Sequence, residues 1–171
     1  MSRTGRAVAL ASALACLSIS GACLSKEWRG SDAESKAAVT LDTPFRFLLH
    51  LEGYRVASFS AESDMFSTWG FLTLRWKQGS TAAGARPSAA NLRERLIAAA
   101  AKAGWKSVNY ETIDVDDRTL DDLGVRDAGK PVELAQSRRG KDRHAPTRYA
   151  CRAWIAADAD KITVGHRVDG N

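Results

Sequence analysis

The chain has 171 residues, 44% of them hydrophobic and 26% charged, with a formal net charge of +5. Those fractions exclude a disordered or low-complexity chain and leave room for one domain with a real core. The charge is too weak to argue for nucleic acid, and no such partner is expected.

The first 23 residues have a recognisable order. Arg3 and Arg6 form a cationic start, residues 7–19 are uncharged and mostly apolar, Ser20, Gly21 and Ala22 are small, and Cys23 follows. A charged start, an apolar run and a small-residue site make an export signal. With a cysteine directly after the small residues, the segment resembles a bacterial lipoprotein signal. The resemblance is confined to this segment. It implies a signal peptide over residues 1–22, acylation of Cys23 by diacylglycerol and palmitate, and a membrane-anchored place in the cell envelope. Leu24, rather than an acidic residue, follows Cys23, which implies the outer membrane in a Gram-negative organism. Ser20 stands where lipoprotein signals usually carry leucine. Ser20 and Ala22 also suit ordinary signal peptidase, which would release a periplasmic or secreted protein. The apolar run is too short for a confident membrane span of about 20 residues.

Loss of Arg3 and Arg6 with the signal lowers the charge from +5 to +3. Cys16 leaves with it, so an acylated Cys23 strands Cys151 without a disulfide partner. A free Cys23 would instead permit a Cys23–Cys151 bridge in an oxidising compartment.

Residues 23–41 mix Ser, Lys, Glu, Gly and Ala without clear period and read as a tether; residues 42–171 read as a single domain. Thr43 and Pro44 mark a helix start, with Phe45, Leu48 and Leu49 on one face and Gly53 at its close, although Phe45, Phe47, Leu49 and Leu51 also alternate as in a strand. Residues 54–61 read as a strand, residues 62–68 as a polar loop, and residues 69–77 as a second strand with Leu72, Leu74 and Trp76 on one face and Phe71, Thr73 and Arg75 on the other.

Residues 88–103 give the best helix. Ser88 is its N-cap, Leu92, Leu96, Ala99, Ala100 and Ala103 form its stripe, and Gly104 with Trp105 suits a Schellman end. A strand over residues 106–115 follows. Residues 116–147 carry little period, with a short strand conceivable near Val132. The end of the chain reads as a hairpin of residues 148–156 and 161–168 about a two-residue loop at Asp158 and Ala159. That register pairs Ile155 with Ile162, Ala153 with Val164, Cys151 with His166 and Tyr149 with Val168, all on one face.

Three constellations could carry chemistry. Cys151 beside His166 is the nucleophile arrangement of a cysteine hydrolase, but on an apolar face a buried structural thiol is the preferred reading. Asp114, Asp116, Asp117, Asp121 and Asp122 could offer oxygen ligands to calcium, but their order does not match a calcium loop, and no metal or cofactor is expected. Arg138, Arg139, Lys141, Arg143, His144 and Arg148 form a basic stretch that leads into the hairpin, whose other face would carry Arg152, Trp154, Thr163 and Arg167. Arginine beside an aromatic ring suits an anionic partner.

The expected fold is α+β, an antiparallel sheet with one main helix on one face and a C-terminal β-hairpin. The expected function is non-catalytic: an envelope lipoprotein binding another protein or an anionic wall polymer through Arg148, Arg152, Trp154 and Arg167. A Cys151/His166 hydrolase and a soluble structural or assembly accessory are the alternatives.

Overall fold

Apolar alternation in the strands and two alanine-rich helices build one antiparallel sheet backed by helices. The structure is a computed structural model that describes residues 26–78, 84–108, 115, 117–126, 128–139 and 146–170. The signal segment, Cys16 and Cys23 lie outside the described residues, as do Asp114, Asp116, Lys141, Arg143 and His144.

The described part of the stretch read as a tether, residues 26–41, is structured. It holds strand β1 (Lys26–Arg29) and helix α1 (Gly30–Thr40). Only Ala33 and Ala37, one turn apart, face the core, and both are fully buried. Two small side chains let the helix lie close on the sheet but leave almost no apolar period, which is why the segment looks like a linker. The turn marked by Pro44 is a 3₁₀ helix (Thr43–His50) instead of an α-helix, begun by the Phe45 N–H donating to the Asp42 carbonyl (2.9 Å). At three residues per turn Phe45 and Leu48 fall on one side, and both are buried.

Strands β2 (Tyr54–Ser63) and β3 (Ser67–Trp76) form a hairpin with a bulge between Val56 and Ser58. The expected loop of residues 62–68 shrinks to a tight turn. There the Asp64 carboxylate accepts from the Phe66 N–H (2.7 Å), the Ser67 N–H (2.6 Å) and the Ser67 hydroxyl (3.1 Å). Helix α2 (Ala89–Lys102) is the one the sequence marks. The Ser88 hydroxyl caps the Asn91 N–H (3.2 Å), Leu92, Leu96 and Ala100 are buried, and Gly104 at φ +87° lets the Trp105 N–H return to the Ala100 carbonyl (3.0 Å). The Trp105 indole N–H then donates to the Pro44 carbonyl (2.9 Å), joining this helix end to the 3₁₀ helix.

Of the strand expected over residues 106–115 the described residues show β4 (Lys106–Ser107), and residues 109–114 lie outside the described ones. The 116–147 segment contributes a short helix α3 (Asp117–Asp122) and a full strand β5 (Val132–Arg138). Strands β6 (Thr147–Ile155) and β7 (Lys161–Asp169) pair in the expected register, with Ile155 opposite Ile162, Ala153 opposite Val164, Cys151 opposite His166 and Tyr149 opposite Val168. The loop is four residues rather than two. Ala156 N–H bonds the Lys161 carbonyl (2.9 Å) and Ala159 takes a positive φ of 55° between them.

The described strands form one sheet in the order β1-β2-β3-β7-β6-β5-β4, every neighbouring pair antiparallel. Phe59, Leu72, Leu74, Ile162, Val164, Cys151, Ala153, Val132 and Leu134 share its core face, with α1 set on β1 and β2 and α2 on β4, β5 and β6. Fold class is thus α+β with an antiparallel sheet, although α1, the 3₁₀ helix and α3 join the one main helix that was expected.

Candidate functional site

Residues between the core positions point to the sheet's second face. On β6 and β7 these include Arg148, Ala150, Arg152, Trp154, Lys161, Thr163, Gly165 and Arg167; on β3 they are Trp69, Phe71, Thr73 and Arg75. One end of this face is covered. The Lys161 ammonium donates to the carbonyls of Leu123 (2.6 Å) and Gly124 (3.2 Å), which holds the α3 segment against that end. Val125 and Trp154 are buried there, outside the main core cluster.

This second layer corrects the proposed binding surface. Trp154 is 4% exposed and Arg152 8%. The Arg152 guanidinium donates from Nε (3.0 Å) and Nη2 to Glu133 Oε1 on the neighbouring strand, and lies 5.9 Å from the Trp154 ring. Arg152 is a buried ion-pair partner and Trp154 is packing, so neither can meet a macromolecule. Arg148 and Arg167 are exposed as expected, and Arg167 bonds Asp169 (2.8 Å).

Outside the covered end the face is open. Trp69, 41% exposed, stands directly opposite Arg167, and Phe71, half-buried, stands opposite Gly165. Towards β4 and β5 a groove of about 600 Å³ is lined by Lys106, Val108, Ala135, Ser137, Arg148 and Ala150, among others. An aromatic surface, a shallow groove and arginines that bring directed donors can bind a carboxylate- or phosphate-bearing partner. The sequence carried a signal for Trp69: it has the same parity as Phe71, Thr73 and Arg75, hence the non-core face of the clearest early strand. Trp154 was the more conspicuous choice because Arg152, two positions earlier, shares its face of the strand.

Cys151 and His166 are neighbours across β6 and β7, but the site has no chemistry of its own. Cys151 is fully buried and burial pushes its thiol well above the ordinary range. Burial lowers His166 to about 4, against the opposing pull of its hydrogen bond to the Ser60 carbonyl (3.3 Å). A carbonyl only accepts, so Nε2 carries the proton and the ring is neutral at pH 7. The ring stacks on Phe59 (5.7 Å between centroids) and tilts against Phe45 (5.6 Å). Thiolate and imidazolium are both disfavoured, whereas an activated cysteine needs at least the thiolate. Gly70, opposite His166, makes the Ser60 contact reachable: a Cβ there would lie 2.0 Å from the Ser60 oxygen.

Of the aspartates weighed as calcium ligands, Asp121 is bound to Arg126 Nε (2.6 Å), and among the described residues no group of three His, Cys, Asp or Glu side chains could hold a metal. No described helix is long and apolar enough to cross a membrane. No family model, no curated protein and no solved structure matches the chain.

Proposed function

We propose that the chain is a lipid-anchored protein of the bacterial cell envelope that works by binding, through the open part of its second sheet face, an acidic protein or an anionic wall polymer. The observation that carries this reading is the Trp69–Arg167 pair on a face left open by a fold that covers Trp154 and Arg152 a few residues away. The lipoprotein-like segment ending at Cys23 supports the anchoring.

Photo-crosslinking in intact cells tests it. A benzophenone residue in place of Trp69 should give a discrete adduct that is lost with Arg167→Ala, and one in place of Glu94, on the outer side of α2, should not. Equal, featureless labelling from both positions would reject the binding face. Anchoring is read separately: a clickable fatty acid should enter the wild-type chain and not Cys23→Ser.

A further inference from the structure

Four large apolar side chains stand well exposed among the described residues: Val39, Met65, Phe66 and Trp69. Trp69 belongs to the open face. Met65 and Phe66, at 79% and 70% exposed, occupy the tip of the β2–β3 hairpin. They are not a frayed loop. Asp64 binds three donors beneath them, and the Gly170 N–H donates to the Phe66 carbonyl (3.1 Å) from the end of β7. A rigid turn therefore holds two bulky apolar groups in water, which is costly without an apolar partner.

The sheet register shows what else lies at this end. Lys26, the first described residue, pairs with Ala61, so the chain enters the fold beside the hairpin tip. Val39, 75% exposed, precedes Thr40, which lines a small cavity with Thr68 and Val168 of the same end. Arg138 pairs with Thr147, and Arg148 with Asp169. Arg138, Arg139 and Arg148 are exposed, and so also end here. One end of the sheet thus gathers Met65, Phe66 and Val39, three arginines, and the point where the chain arrives from Cys23, three residues before Lys26.

We infer that this end of the sheet rests on an anionic phospholipid surface, with Met65 and Phe66 in the acyl–headgroup boundary and Arg138, Arg139 and Arg148 on lipid phosphates. Bulky apolar residues beside cations are the composition of an interfacial contact. The occupant is a bilayer because an acyl chain on Cys23 would enter it at this end, where only Leu24 and Ser25 stand between Cys23 and β1 in the chain. The inference rests on the lipoprotein reading for that last step. It adds an orientation: the groove and Trp69 face sideways, with the Arg55 and Arg75 end of the sheet farthest from the membrane.

The full mature chain, its N-terminus checked by mass, is reconstituted in vesicles with and without phosphatidylglycerol. An environment-sensitive fluorophore is placed at Met65→Cys or, as a control at the far end, Gln78→Cys; buried Cys151 does not compete for the label. At position 65 the emission should shift to the blue and be quenched by nitroxide lipids, more so with phosphatidylglycerol, while position 78 stays aqueous. Equal exposure of both positions in acylated protein overturns the footprint and leaves the anchor standing. A shift at 65 in native membranes but not in pure lipid overturns it in favour of a protein contact. If the chain proves not to be acylated, co-sedimentation with phosphatidylglycerol vesicles decides: binding weakened about ten-fold or more by Phe66→Asp supports the footprint, and no binding refutes it.

Discussion

The Tyr54 hydroxyl donates a 2.6 Å hydrogen bond to the carbonyl of Ala159, the residue held at positive φ in the β6–β7 turn. Both residues are buried. The bond ties the start of β2 to a turn that follows it by 105 positions, and Trp76 N–H adds a second tie to the Asp160 carbonyl (2.9 Å). Tyr54→Phe leaves a buried carbonyl without its donor and should cost about 1–2 kcal/mol in urea unfolding. Burial raises Tyr54 to about 12. The unfolded tyrosine ionises first, near its ordinary value of about 10, so stability should fall from about pH 10 to 12 and fall less in the variant.

His166 predicts a loss at the acid side. Its folded value of about 4 lies below the ordinary 6.5. Between these limits the unfolded chain binds a proton that the folded chain does not. The His166 contribution should therefore be constant above about pH 6.5 and stability should decline toward pH 4, by an amount on the order of 3 kcal/mol. His166→Gln should flatten that window in urea titrations between pH 4 and 8. Asp64, held low chiefly by the Phe66 and Ser67 N–H bonds, acts only at lower pH.

Cys151 should be inert. In the folded protein a thiol reagent should label it far more slowly than in urea, because burial both blocks access and disfavours the thiolate. Cys151→Ala should cost about 1 kcal/mol and leave partner binding unchanged. Fast labelling of native protein would revive the hydrolase reading.

Arg152 and Glu133 should behave as a buried pair. Arg152→Ala strands the Glu133 carboxylate and should destabilise by about 3–5 kcal/mol, while Arg152→Met with Glu133→Leu should recover most of that loss. A thermal-unfolding double-mutant cycle measures the coupling; additive losses would contradict the burial seen for both side chains.

Thr163 is buried beside Trp154 with no hydrogen-bond partner for its hydroxyl among the described residues. Thr163→Val keeps the shape and removes the unmet polar group. It should raise stability by about 1 kcal/mol, read as a higher melting temperature.

The terminal hairpin and α2 were legible because a period and marked ends agreed. Alternation selected one face for Tyr149, Cys151, Ala153 and Ile155, and Ser88 with Gly104 bracketed the helix. The fate of Trp154 was not legible, because the segment that covers it lacks period and reaches the sheet through backbone carbonyls of Leu123 and Gly124, which any sequence could offer. Helix α1 was missed for a related reason: it packs through two alanines. At the candidate face, Arg148 and Arg167 were found from charge and Trp69 was marked by its parity on β3, while the company of the hairpin tip depended on which strand ends meet at one end of the sheet, and that follows from the strand order alone.

In that order β7, the last described strand, stands at the centre, between β3 and β6. Without it the sheet divides into two three-stranded pieces, β1-β2-β3 and β6-β5-β4, each with a raw edge where β7 belongs. Closure is the most non-local pairing among the described strands, because β3 and β6 must both wait for β7. The same arrangement makes the C-terminus the point of failure: removing the last ten residues would take away much of the strand that joins both halves, and each half would be left ready to pair with a neighbouring molecule instead.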